Sequence, residues 1–212
     1  MTEKEMWHRF CAETNLDPKT PYEAWAFCGG GPFADELAGL VLSGRKTATA
    51  SAFVAFETAG EPLPEPGCYS VILYDDGSAA GVIRDTKVSL VPFNEVTAVH
   101  AYQEGEGTRT LTEWREIHRR AFTPDYQAVG KEFGESGICV LEEFELLYPA
   151  IKKYGNEQMK LPNESHSSKN CWAGFRKRQT SLPPKIDKGE YYGIWNQSFP
   201  MDTGAGALYC VR

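Results

Sequence analysis

The sequence predicts an α+β fold, a mostly antiparallel β barrel with helices at its rim and an irregular C-terminal appendage. Three observations predict it. The stretches "TATASAFV", "CYSVILY", "SAAGVIRDTKVSLVPF" and "ICVLEEFELL" are rich in β-formers or alternate along the chain, as strands do. Helical periodicity with helix-end chemistry stands before and between them. From about Ala150 both periodicities stop, which divides the chain into a core, residues 1–149, and an extension of unassigned fold, residues 150–212.

The elements follow in order. Trp7, Phe10 and Cys11 lie at helical spacing, so residues 4–15 are expected to form a short amphipathic helix. In "CGGGPFADELAGLVLSG" the glycines make a loop and Pro32 suits a first helical turn. Asp35 and Glu36 suit the positive end of the dipole, Leu37, Leu40 and Val41 share a face, and Gly44 stops the helix. After Lys46 the period shortens: Thr47, Thr49 and Ser51 point one way, Ala48, Ala50 and Val54 the other. "EPLPEPG" is a rigid turn and "YDDGSA" a hairpin signal. In "EGEGTRTLTEWREIHRRAF", Thr110 and Glu113 match a capping box. Leu111, Trp114, Ile117, His118, Ala121 and Phe122 form the buried stripe of the helix it opens. Glu104 and Glu106 then lie on a glycine-rich loop just before that helix.

Charge is divided unevenly. Residues 150–212 hold ten Lys or Arg and five Asp or Glu (+5), leaving twelve and twenty-four (−12) in residues 1–149. The first part is therefore a poor partner for a long polyanion, and would meet nucleic acid only through a local pocket or as a small piece such as a nucleoside. The extension carries Trp172, Phe175, Tyr191, Tyr192, Trp195, Phe199 and Tyr209, too many aromatics for an ordinary disordered tail. Cys11, Cys28, Cys68, Cys139, Cys171 and Cys210 are scattered, without a CxxC pair, and are expected to be reduced. His8, His100, His118 and His166 form no metal-ligand pattern, so no metal or other cofactor is expected. No apolar run suggests a membrane span and no secretory signal opens the chain, so a cytoplasmic protein is expected.

The stretch "SGRKTATASAF" sets Lys46 among small and hydroxyl side chains. A lysine that lines a pocket and is partly dried loses affinity for its proton and becomes a base near neutral pH. Thr49 is a hydroxyl nucleophile that needs such a base, and the two meet only if the strand begins after Lys46. Glu106 or Glu104 would carry a proton to a leaving amine or hold the lysine in place. The plain readings stand beside these. Lys46 also suits a solvated cation beyond a helix end, Thr49 an ordinary strand residue, and the glutamates a solvated acidic face. Gly29 to Gly31 suit a flexible loop, lacking the lysine of a phosphate-binding loop. Trp114 and His118 suit the core and its edge.

Residues 1–148 resemble the ASCH domain family, whose fold is PUA-like. The resemblance is carried by the pattern GxKxxT at Gly44, Lys46 and Thr49 after the "ADELAGLVLSG" helix, by "EGEGTRTLTEWREIHRRAF", and by the closing "FGESGICVLEEFELL". It implies a cleft on the barrel lined by that lysine and threonine. It also implies activity on a modified cytosine nucleoside, by hydrolysis of N4-acetylcytidine, or ribonuclease activity on RNA. Lys46, Thr49 and Glu106 are the catalytic set it implies, with Glu104 in reserve for the carboxylate. Arg45, Thr47, Ser51 and Glu104 are the neighbours expected to bind substrate. Ser51 stands where many members have arginine, and Thr108 where the related branch has aspartate. The expected functions, in order, are a nucleoside amidohydrolase, an RNA-binding module or ribonuclease, and a non-catalytic interaction domain. The oligomeric state is open.

Overall fold

A computed structural model of the protein describes residues 1–149. The expectations for residues 150–212, their separate fold and appendage included, lie outside the described residues. No described helix is long and apolar enough to cross a membrane.

The chain runs α1 (Glu3–Thr14), β1 (Tyr22–Ala26), α2 (Pro32–Leu42), β2 (Ala48–Ala52), α3 (Phe53–Ala59), β3 (Tyr69–Leu73), β4 (Ala79–Pro92), α4 (Ala98–Glu104), α5 (Leu111–Ala128) and β5 (Ile138–Tyr148). The strands form one sheet in the order β1-β3-β4-β5-β2. Only the β1–β3 pair is parallel. Register shifts at Val82/Ile83 and Asp85/Lys87 interrupt the long β4–β5 ladder, and such bulges bend and twist a strand. The sheet curls into a half barrel with helices about it.

Helix ends follow local chemistry. Thr2 and Glu5 close a reciprocal capping box on α1, while the expected box on α5 closes only halfway. Thr110 accepts from the Glu113 amide, but the Glu113 carboxylate turns to the backbone N–H and hydroxyl of Thr108. The glycine loop before α2 is occupied by the protein itself, since the Gly31 N–H donates to Asp75 Oδ1 at 2.5 Å.

Three elements were not expected from the sequence. β1 is a short edge strand without alternation in its burial. α3 continues directly from β2 as Phe53–Ala59, where the small alternating residues suggested a longer strand. α4 ends at Glu104, which is therefore the last residue of a helix rather than a loop residue. The core divides about the sheet. Ala50, Ala52, Phe93, Trp114, Phe122 and Leu141 pack on one side, while Phe27, Leu37, Val41, Ile72, Ile83 and Phe144 pack on another. Cys11 and Cys139 are free buried thiols. Cys28 and Cys68 each carry a disulfide bond, contrary to the expectation of reduced cysteines, because spacing along the chain does not report distance in space.

Candidate active site

Lys46 follows α2 and precedes β2. Its amide and that of Arg45 both donate to the Leu40 carbonyl, which closes the helix. β2 begins at Ala48, so Lys46 lies outside the alternation that governs Thr49 and Ser51. The side chain runs inward and is 0% exposed, with Nζ 2.5 Å from Glu106 Oε1 and 3.5 Å from Glu104 Oε2. Its Nζ also stands 5.3 Å from the centre of the Phe27 ring. The expectation of a solvated cation is overturned.

Arg45 and Thr47 hold the glutamates in reach. The Arg45 guanidinium donates to the Gly105 and Gly107 carbonyls at 2.6 and 2.8 Å. The Thr47 amide donates to the Gln103 carbonyl at 2.8 Å. These contacts lace β2 to the end of α4, a framework role for two residues expected to bind substrate. Gly105 has φ +76, and a Cβ there would meet the Arg45 carbonyl oxygen at 2.4 Å. Only glycine lets the two chain segments approach this closely.

Glu104 is buried, with one carboxylate oxygen hydrogen-bonded and the other only within ion-pair distance of its neighbours. Its Oε1 accepts from Trp114 Nε1 at 2.6 Å and from His100 Nε2 at 3.0 Å. Its Oε2 faces His118 Nε2 at 3.4 Å. His118 stacks on Trp114 with ring centres 4.0 Å apart, and its Nδ1 donates to the Trp114 carbonyl. Trp114 and His118, expected as core residues, are buried and also position a carboxylate. The sequence signal for this was their helical spacing on a face that also approaches the glutamate loop.

The charges settle one another. Burial opposes charge on Lys46, but Glu106 and Glu104 outweigh it and hold its pKa above the ordinary value. The expectation that drying would make this amine a ready base is therefore reversed in the resting state. Burial would raise Glu104, but His118, Lys46 and the His100 hydrogen bond hold its carboxyl well below the ordinary range. Glu106 differs: burial, with Glu104 adding to it, pushes its carboxyl up against the pull of Lys46. The site thus has one firmly ionised carboxylate and one whose proton is held more readily.

Thr49 stands on β2 opposite Glu142 of β5. Its hydroxyl is buried without a hydrogen-bond partner, so it does not bond Lys46 or Glu106 here. Ser51 lies two residues on, on the same face, with a hydroxyl also buried and unpartnered. Ser51 opens onto a cleft of about 380 Å3, which Tyr22, Trp25, Phe56, Ser70 and Asp85 also line. The Trp25 ring meets Phe27 edge-on at 4.9 Å, whereas Lys46, Thr49, Glu104 and Glu106 do not themselves line that cleft. Beside Glu104 and Glu106 themselves there is only about 10 Å3 of space. Sequence reasoning missed Asp85, Ser70 and Glu142. Adjacent residues of a strand face opposite sides, so one of the pair Glu142 and Glu143 had to point inward; Glu142 does, at 1% exposure.

The ASCH domain model matches residues 23–148. The chain belongs to the ASCH domain family. This ASCH domain is similar to a solved one from Lactobacillus crispatus JV V101, at 30% identity and a TM-score of 0.64, over 69% of this chain and 96% of that one. It is also similar to protein EF3133 from Enterococcus faecalis V583, at 32% identity and a TM-score of 0.61, over 68% of this chain and 89% of that one. No curated protein matches. The half barrel with flanking helices is thus the PUA-like fold of ASCH domains.

Proposed function

We propose that this ASCH domain hydrolyses the amide of an N4-acylated cytosine nucleoside, with the acyl group passing through Thr49. One observation carries the reading. A dry cluster of Lys46, Glu106 and Glu104 adjoins the strand that offers the unpartnered Thr49 hydroxyl, and Ser51, two residues further along that strand, lines a cleft whose volume suits a small ligand.

The chemistry turns on the proton between Lys46 and Glu106. As an ammonium ion Lys46 has no lone pair for Thr49. Moving the proton across the 2.5 Å contact gives a neutral amine and a carboxylic acid, the form that low dielectric favours. The amine takes the Thr49 proton as Oγ1 bonds to the acyl carbon. The Glu106 acid protonates N4 as the carbon–nitrogen bond breaks, and the cytosine nucleoside leaves. Water then attacks the Thr49 ester while Glu106 accepts its proton. Lys46 returns a proton to Thr49, which regenerates the site. Glu104 keeps the lysine placed throughout, itself fixed by Trp114 and His100.

The test is release of cytidine from N4-acetylcytidine, followed by chromatography. Turnover in the wild type and its loss in Lys46→Ala are expected; no turnover, or unchanged turnover in the variant, discards the reading.

A second reading, RNA binding or RNA cleavage, is favoured by the +5 charge of residues 150–212. It requires RNA affinity that falls steeply with salt and disappears on truncation after Tyr148.

A further inference from the structure

The sequence holds six cysteines, and those in the described residues fall into two kinds. Cys11 and Cys139 are free buried thiols, whereas Cys28 and Cys68 each carry a disulfide bond. Cys28 and Cys68 are too far apart to be bonded to each other. β1 runs parallel to β3 with Tyr22 opposite Tyr69 and Ala26 opposite Leu73, so Cys28 follows the far end of β1 while Cys68 precedes the near end of β3. The rise of a strand puts roughly 13 Å between those two ends, against about 4.4–6.8 Å between the Cα atoms of a disulfide. Neither end folds back toward the other. Cys28 packs on the cluster of Phe27, Leu37 and Ile72, and the chain beyond it is held at Gly31 to Asp75. Cys68 is held through its N–H on the Glu65 carbonyl and its carbonyl on the Asp85 N–H.

Within the chain the remaining partners are Cys171 and Cys210. We infer that Cys28 and Cys68 are cross-linked to these two cysteines, and that residues 172–209 are thereby strapped across the cleft beside β1 as a cover that a thiol reductant releases. Both anchors stand at that cleft: Cys68 lines it directly, and so does Gly29, the neighbour of Cys28. Its walls include Tyr22, Trp25, Phe56 and Leu63. The strap carries Trp172, Phe175, Tyr191, Tyr192, Trp195 and Phe199, side chains with a large apolar area to bury in such a groove. Charge agrees, since residues 150–212 sum to +5 and residues 1–149 to −12, so the two parts attract. The chain also leaves the described residues close by. Tyr148 packs with the cluster that holds Tyr22 and Tyr69, both of which line the cleft, and residues 149–170 extend to roughly 70 Å, enough to reach either anchor.

Release is thiol–disulfide exchange. Cys28 and Cys68 are half-buried, unlike the free thiols, so a small reductant reaches them. A reductant thiolate attacks one sulfur of the bond, the S–S bond breaks, and the sulfur set free takes a proton. A second reductant thiol then displaces the other protein sulfur, which is protonated in turn. Each bond opened consumes two electrons and two protons from two reductant thiols, which leave as a disulfide. With both bonds open the strap loses its anchors and the cleft is uncovered. The inference needs neither Lys46 nor Thr49, since neither lines the cleft, and the success or failure of the hydrolase reading leaves it unmoved.

The experiment is peptide mapping by mass spectrometry of the full chain, purified without reductant, denatured and treated with iodoacetamide before proteolysis. Cross-linked peptides that join Cys28 and Cys68 to Cys171 and Cys210 are expected, with alkylation confined to Cys11 and Cys139. A peptide joining Cys28 to Cys68, a cross-link between two chains, or alkylated Cys28 or Cys68 overturns the inference. The covering is read separately, by hydrogen exchange over residues 55–64, which supply part of the cleft wall. Dithiothreitol, or Cys171→Ser together with Cys210→Ser, is expected to speed exchange there roughly 10-fold or more while leaving α5 unchanged. Both substitutions lie in the extension, so the core keeps its own residues. Exchange over residues 55–64 that is the same with and without the bonds means that the extension is tethered but lies elsewhere, and overturns the cover.

Discussion

Lys46 Nζ and Glu106 Oε1 lie 2.5 Å apart with side chains 0% and 6% exposed. Removing one member of such a pair leaves a buried charge without its partner. Lys46→Met keeps the stem volume but strips both carboxylates of their cation, and should cost about 3–5 kcal/mol. Glu106→Gln leaves Lys46 facing Glu104 and should cost less. Urea denaturation ranks the two variants; the opposite order would show that Glu104 is not a working counterion. Both should abolish hydrolysis.

Thr49 gives the sharpest separation of activity from stability. Its buried hydroxyl has no partner, so Thr49→Val removes an unsatisfied polar group at almost constant shape and should stabilise the fold by about 1 kcal/mol. The same change should eliminate turnover, whereas Thr49→Ser should retain part of it. Retention of activity by Thr49→Val would remove Thr49 as nucleophile and leave attack by Lys46 or by water.

The pH dependence of stability has opposite signs at its two ends. The Glu104 carboxyl is held well below 4.5, so its contribution is complete above that value and is lost as pH falls through the folded pKa. Lys46 is held above 10.5, so its contribution is complete below that value and is lost as pH rises through the folded pKa. Glu106 is raised above 4.5, so the contribution of its proton is complete below that value and is lost as pH rises through its folded pKa. Thermal melts from about pH 3 to about pH 11 should show the acid-side fall reduced in Glu104→Gln and the alkaline fall reduced in Lys46→Met. Parallel curves for wild type and Glu104→Gln below pH 4.5 would contradict the assignment.

Gly105 is the closest backbone approach in the site. With φ +76 and an added Cβ 2.4 Å from the Arg45 carbonyl oxygen, Gly105→Ala must push α4 from β2 or strain the loop. A loss of about 2–4 kcal/mol is expected by denaturant titration, because strain and clash add. Gly130→Ala, also at positive φ but with nothing within 4 Å of its Cβ, should lose only about 1 kcal/mol.

Several parts of the site were legible beforehand. The GxKxxT pattern, its place after a glycine-stopped helix, and the change to two-residue alternation located Lys46 and Thr49 correctly on either side of a strand start. The stripe on α5 was legible because Trp114, Ile117, His118 and Phe122 keep helical spacing, and all four are buried. α3 and α4 were not legible. Each is a single short helix of 7 residues, held by packing rather than by propensity, and so leaves a weak periodic trace. The protonation of Lys46 was misread for a related reason: burial was inferable, but the two carboxylates that outweigh it sit 58 and 60 residues away.

By itself, the sequence determined which segments form α1, α2, β2 to β5 and α5, because periodicity, capping and turn residues act over a few neighbours. Only the tertiary structure decided which charges meet. The approach of Gly105 to Arg45 brings Glu104 and Glu106 onto Lys46, and the curl of the sheet gathers Ser51, Ser70 and Asp85 about one cleft. Electrostatic energy depends on distance and dielectric, and neither is set until distant segments have packed together.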